Sequence, residues 1–158
     1  MCWQCDHPEA TRADYHDVLR RKILAHGWAV QYVESERTPF GYTIGLHPAG
    51  LPELLVAGLP PETTLKILNT LAGYMVREVE PAPGDTMQLA DEWHGEFVAV
   101  AEPHAHMGLG LELYGPGLRG LQFVWRDRDG HTPWCPDFNK GGLRQPVLGN
   151  RGPSAHSP

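Results

Sequence analysis

The chain has 158 residues, 41% hydrophobic and 20% charged, with a formal net charge of −6. That length suits one domain with one core. Its 18 glycines and 15 prolines, about a fifth of the chain, exclude a coiled coil, a collagen-like rod and a long-helix bundle. The charge is uneven: residues 118–158 hold six Lys or Arg against three Asp, while the first 117 carry −9. An acidic body repels phosphate backbones, so no nucleic-acid partner is expected.

Thr11-Arg12-Ala13-Asp14 has the form of a capping box and opens a helix, with Tyr15, Val18, Leu19 and Ile23 at helical spacing and Gly27 as its stop. Trp28, Val30 and Tyr32 alternate as in a strand. Phe40 to Leu46 alternates more strictly, with Gly41, Thr43 and Gly45 on one face, so something approaches that face closely: a backbone, a ring or a ligand. Glu53 to Gly58 reads as a central strand, and short links imply antiparallel pairing. Pro60-Pro61-Glu62 starts a second helix with Leu65, Leu68, Leu71, Ala72, Met75 and Val76 along one stripe.

Pro81 to Asp85 is a loop and Glu96 to Ala101 a strand. His104 to Tyr114 fits either a strand or a helix. Leu121 to Trp125 is a strand turned by Asp129-Gly130. Pro, Gly and Asn dominate from Thr132 onward. The resulting expectation is an α+β fold: a single domain over residues 1–150, a small mostly antiparallel sheet packed against two or three helices, and a disordered tail at 151–158.

Met1 to His7 lacks the basic and apolar regions of a signal peptide, and the longest apolar run, Leu54 to Leu59, is far short of a membrane helix. A cytoplasmic, membrane-free protein with reduced thiols is the expectation. Cys2, Cys5 and Cys135 are too few, and odd in number, for a disulfide scaffold.

Cys2-x-x-Cys5-Asp6-His7 is the most chemical segment. Two thiolates three apart supply half of a structural zinc site, which Cys135 and His7 would complete. A redox CxxC is the rival, although that motif normally opens a helix after a strand, and three unengaged thiols are the plain alternative. His104-x-His106 with Glu112 would form a second metal site only on a strand; loop histidines are the favoured reading. Asp91-Glu92-Trp93-His94 and Glu102 offer an acid–base pair that no spacing brings together. Phosphate-binding glycine motifs and a serine-hydrolase elbow are absent.

Five runs carry a family likeness: Cys2-x-x-Cys5-Asp6-His7-Pro8, His26-Gly27-Trp28-Ala29-Val30, Pro39 to Leu46, Pro52-Glu53-Leu54-Leu55-Val56 and Gln145 to Gly149. From Cys2 to about Gly149 the chain resembles the bacterial family named domain of unknown function 4262, in its actinobacterial form. The resemblance implies no activity. It implies a ligand surface around Tyr42 and Gly45, the Pro52-Glu53 turn and Trp134. Two functions follow as expectations. One is a small binding or regulatory domain, for a small molecule or a protein, with zinc on Cys2, Cys5, His7 and Cys135. The other is an enzyme with a pocket beside Phe40–Leu46 that holds a metal, a nucleotide or, less favoured, a flavin.

Overall fold

The computed structural model describes residues 3–90 and 92–151, with side chains from Cys5 onward. In chain order the elements are α1 (Trp3–Asp6), α2 (Arg12–His26), β1 (Ala29–Val33), β2 (Phe40–Ile44), β3 (Glu53–Ala57), α3 (Pro61–Arg77), β4 (Thr86–Leu89), β5 (Trp93–Val100), α4 (Pro103–His106), α5 (Gly108–Tyr114), β6 (Gly120–Trp125) and β7 (Gly149–Arg151). Short 3-10 turns cover His47–Ala49 and Phe138–Gly141. The expected α+β class holds.

The seven strands form one sheet in the order β1-β2-β3-β6-β5-β4, with β7 also against β5. Only β3–β6 is parallel; every other pairing is antiparallel. β3 is buried along its whole length, which explains its unbroken apolar run.

The capping box of α2 forms as its sequence dictates. Thr11 Oγ1 accepts from the Asp14 amide at 3.1 Å, and the Asp14 carboxylate accepts from the Thr11 amide at 2.9 Å. Gly27 ends the helix at φ 94°, and its N–H donates to Ile23 O.

Each face of the sheet is covered. Leu54, Val56, Phe97, Leu121 and Phe123 pack against the stripe Ile67, Leu68, Leu71, Ala72 and Met75 of α3. Tyr42, Ile44, Leu55 and Ala57 pack on the other side against Leu19 of α2 and Met107 and Leu109 at α5. Each Leu, Ile, Val, Phe or Met among them contributes about 1.5–3 kcal/mol by leaving water.

His104 to Tyr114 resolves as the helices α4 and α5. The alternation of Leu109, Leu111 and Leu113 is therefore misleading: Leu109 is buried, and Leu111 and Leu113 are half-buried. Two short strands were not expected: β7, where the sequence shows no apolar alternation, and β4, where Met87 and Leu89 alternate with Thr86 and Gln88 over four residues only. β7 extends to Arg151, one residue past the expected domain end, and residues 152–158, where the tail is expected, lie outside the described residues.

Candidate functional site

Cys2 lies outside the described residues. Cys5 sits exposed on α1, and His7 follows it, also exposed. Cys135 lies in the loop after β6, where the ligating atoms of His131, Cys135 and Asp137 fall within 4.8 Å of one another. Asp127, Asp129 and His131 form a second such group. Among the described residues, neither Cys5 nor His7 belongs to a group of three. The structure thus gives Cys135 partners that its sequence surroundings did not single out: His131 four residues before it and Asp137 two residues after.

Three devices hold this loop. Asp127 Oδ1 accepts from the amides of Asp129 at 2.9 Å and His131 at 2.8 Å, and its Oδ2 accepts from the Asn139 amide at 2.7 Å. Burial alone would raise the Asp127 pKa. The amides of Asn139, His131 and Asp129 more than offset that, so it sits below the ordinary aspartate value. The Arg144 guanidinium donates to the carbonyls of Pro133, Cys135 and Pro136 at 2.7, 2.8 and 3.1 Å. Cys135 N–H donates to Thr132 O, and Phe138 N–H to Cys135 O. Within this frame His131 Nδ1 lies 3.5 Å from Asp127 Oδ2, shut off from solvent and with no hydrogen-bond partner.

The next segment fastens the loop to the sheet through two glutamines. Gln145 behaves as a strand backbone would: it donates to Trp125 O at 2.7 Å and accepts from Trp125 N–H at 3.1 Å. Buried Gln122 donates to Pro146 O at 2.7 Å and accepts from Leu148 N–H at 2.8 Å. Trp134, expected at a ligand surface, lies beneath the Arg151 guanidinium, 4.0 Å from ring centroid to Cζ, while Arg151 also grips Glu96.

Tyr42 is only 2% exposed, and its hydroxyl accepts from Leu109 N–H at 3.1 Å. Burial pushes its pKa up to about 12, so it stays protonated. Gly41 and Gly45 are there for close approach, as their spacing suggested, but what approaches is protein. A Cβ on Gly41 would meet Thr64 and Leu68 of α3, and one on Gly45 would meet Ile23, Trp28 and the Gly27 carbonyl.

The Pro52-Glu53 turn is an anchor. Glu53, fully buried, accepts from Thr43 Oγ1 and from the amides of Gly45, Leu46 and His47 at 2.9–3.2 Å. Burial raises its pKa above the glutamate value, and these donors limit the rise. A glutamate opening an apolar strand, ten residues after a threonine, was the available signal.

A groove of about 1300 Å³ runs beside β1, where Phe40 and Tyr42 line it with Arg12, Tyr15 and His106. The His104, His106 and Glu112 site, the reading not favoured from the sequence, does not assemble among the described residues. Glu112 instead accepts from Arg12 Nε at 2.8 Å and meets His16 Nε2 at 2.9 Å. Arg12 holds its pKa down to about 2, with burial opposing and His16 assisting. The acid–base pair fares no better: Glu92 faces Lys66 at 3.9 Å, Glu102 precedes α4, and Asp91 lies outside the described residues.

Among the described residues, no helix is long and apolar enough to cross a membrane. No curated protein and no solved structure matches the chain. A family model does, over residues 22–139, a span that begins within α2, ends in the 3-10 turn at Phe138–Gly141, and leaves out the N-terminal CxxC. The chain belongs to the family described as Domain of unknown function (DUF4262).

Proposed function

We propose that this is a small metal-binding domain whose ion, of the zinc class, is held by His131, Cys135 and Asp137. The observation behind this reading is the convergence of one nitrogen, one sulfur and one oxygen ligand within 4.8 Å, on a loop that Asp127 and Arg144 already hold in place. A mixed imidazole, thiolate and carboxylate set suits zinc among the common divalent ions, and three protein ligands leave a fourth position for water or a small ligand. The buried Nδ1 of His131 agrees with it: an imidazole whose tautomer is not fixed by a hydrogen bond is free to present either nitrogen to an ion. Binding would also stabilise the fold, since the folded loop already holds residues 131, 135 and 137 together whereas the unfolded chain would have to be ordered to do so.

Metal content after purification under reducing conditions tests this. The expected result is about one zinc per chain, falling below about a tenth in Cys135→Ser and in His131→Ala and unchanged in a Cys2→Ser, Cys5→Ser double variant, as follows from ligand counting. A metal-free parent protein that does not take up added zinc would sink the proposal. Loss of zinc in the double variant would return the ligands to the N-terminal CxxC.

A further inference from the structure

Beside the same loop a cleft of about 650 Å³ is lined by Trp93 and Trp125 of the sheet and by Arg126, Arg128 and Lys140. Its volume falls within the range of small-molecule sites, about 300–1000 Å³. The two indoles are half-buried and meet edge to face, with centroids 5.8 Å apart, so each has ring surface against the core and ring surface toward the cleft.

The charges around it are unequally committed. Among the described residues, Arg126, Arg128 and Lys140 make no ion pair and no side-chain hydrogen bond. Arg126 Nε is shut off from solvent with no partner, so an incoming acceptor would meet the terminal nitrogens of that guanidinium instead. Of the three carboxylates on the lining, Glu92 faces Lys66, and both Asp127 oxygens are taken by backbone amides. Amide hydrogen bonds leave Asp127 charged, so the lining balances three carboxylates against three cations, and what sets Arg126, Arg128 and Lys140 apart is that none of them has a side-chain partner among the described residues.

The backbone that presents Lys140 is strained. Asn139 and Lys140 both adopt the left-handed conformation, at φ 50° and 54°. Asparagine tolerates it, lysine does so at a cost, and such residues gather at ligand sites.

We propose that this cleft binds a small aromatic phosphate of the mononucleotide type, its ring against Trp93 and Trp125 and its phosphate on Arg126, with Arg128 and Lys140 beside it. Guanidinium groups match phosphate geometry with two parallel hydrogen bonds, and indole faces stack on flat rings. The site shares no ligand atom with His131, Cys135 or Asp137, so it stands whether or not the loop holds a metal.

The test uses chelator-treated full-length protein, titrated with adenosine monophosphate and with flavin mononucleotide while tryptophan fluorescence and heat are followed. Adenosine and inorganic phosphate serve as the separated halves. The expected result is saturable binding of at least one nucleotide with Kd at or below about 1 mM, and at least about tenfold weaker binding of either half. Arg126→Gln is expected to weaken binding about tenfold or more, and Arg128→Ala with Lys140→Ala about fivefold, the latter in a protein that melts normally. If Arg126→Gln does not fold, the surface double variant decides alone. Saturation by neither nucleotide, inorganic phosphate binding as tightly as the nucleotides, or unchanged affinity in the folded variants would each overturn the proposal.

Discussion

The amide of Gly45 donates to Glu53 Oε2 at 3.0 Å, tying the end of β2 to the first residue of β3 across the turn between them. With Leu46, His47 and Thr43 also donating, a carboxylate with no cation beside it replaces the water that these groups would lose. Glu53→Gln puts an NH2 group among donors and is expected to cost about 1–3 kcal/mol in urea unfolding. The folded pKa is raised, chiefly by burial, so the folded state holds the proton more tightly. Its contribution is therefore fully present below the unfolded value and declines as pH rises through the folded one. Stability of the parent protein should fall across that window, and the variant should lose this slope.

Glu112 has the opposite sign. Its folded pKa is lowered to about 2, first by Arg12, against burial and with help from His16. Its contribution is present above the unfolded glutamate value and is lost as pH falls through about 2. The pair is substantially exposed, so its worth is about 0.2–1 kcal/mol and falls with salt. Glu112→Gln should flatten the acid limb of the stability curve by that amount and leave stability near pH 5 only slightly reduced.

Tyr42→Phe removes the acceptor of the Leu109 amide at a site 2% exposed. A buried donor left without a partner costs about 1–3 kcal/mol. Hydrogen exchange should quicken first at Leu109 and its neighbours in α5, and a variant with unchanged protection there would show that water replaces the phenol.

Gly149 lets β7 lie against β5. A Cβ at this position would stand 1.7 Å from the Ala99 carbonyl oxygen, so Gly149→Ala must lift the strand. Arg151 would then lose Glu96 and Trp134 together. Limited proteolysis should cut the variant between residues 142 and 151 much sooner than the parent, and equilibrium stability should drop by about 2 kcal/mol or more.

Local signals explain why some of this was legible in the sequence. The capping box of α2, the glycine stop at Gly27 and the apolar run of β3 depend on neighbours within a few residues, so they could be read directly. The glycine face of β2 correctly announced a close approach, but no sequence pattern says that the approaching group is Thr64 rather than a ligand. β4 and β7 are held by pairing to β5: β7 has no apolar alternation of its own, and that of β4 is confined to Met87 and Leu89. The partners of Cys135 were missed for a related reason. His131 and Asp137 meet it only because Asp127, Asn139 and Arg144 fold the loop back on itself, through polar contacts that leave no periodicity. The cations of the tryptophan cleft were visible only as a basic excess in residues 118–158.

The parallel pairing of β3 with β6 bears on how the chain is made. Leu54 and Leu55 point their apolar side chains to opposite faces of the strand, yet their partners Leu121 and Gln122 are synthesised more than sixty residues later. At about 5–20 residues per second, β3 waits some 3–13 s on the ribosome with one edge unpaired. During that interval α2, β1, β2 and α3, joined later by β5 and α5, can cover its faces, but none of them pairs its free edge. The antiparallel hairpins and the α3 stripe thus double as a temporary cover for the most aggregation-prone segment of the nascent protein.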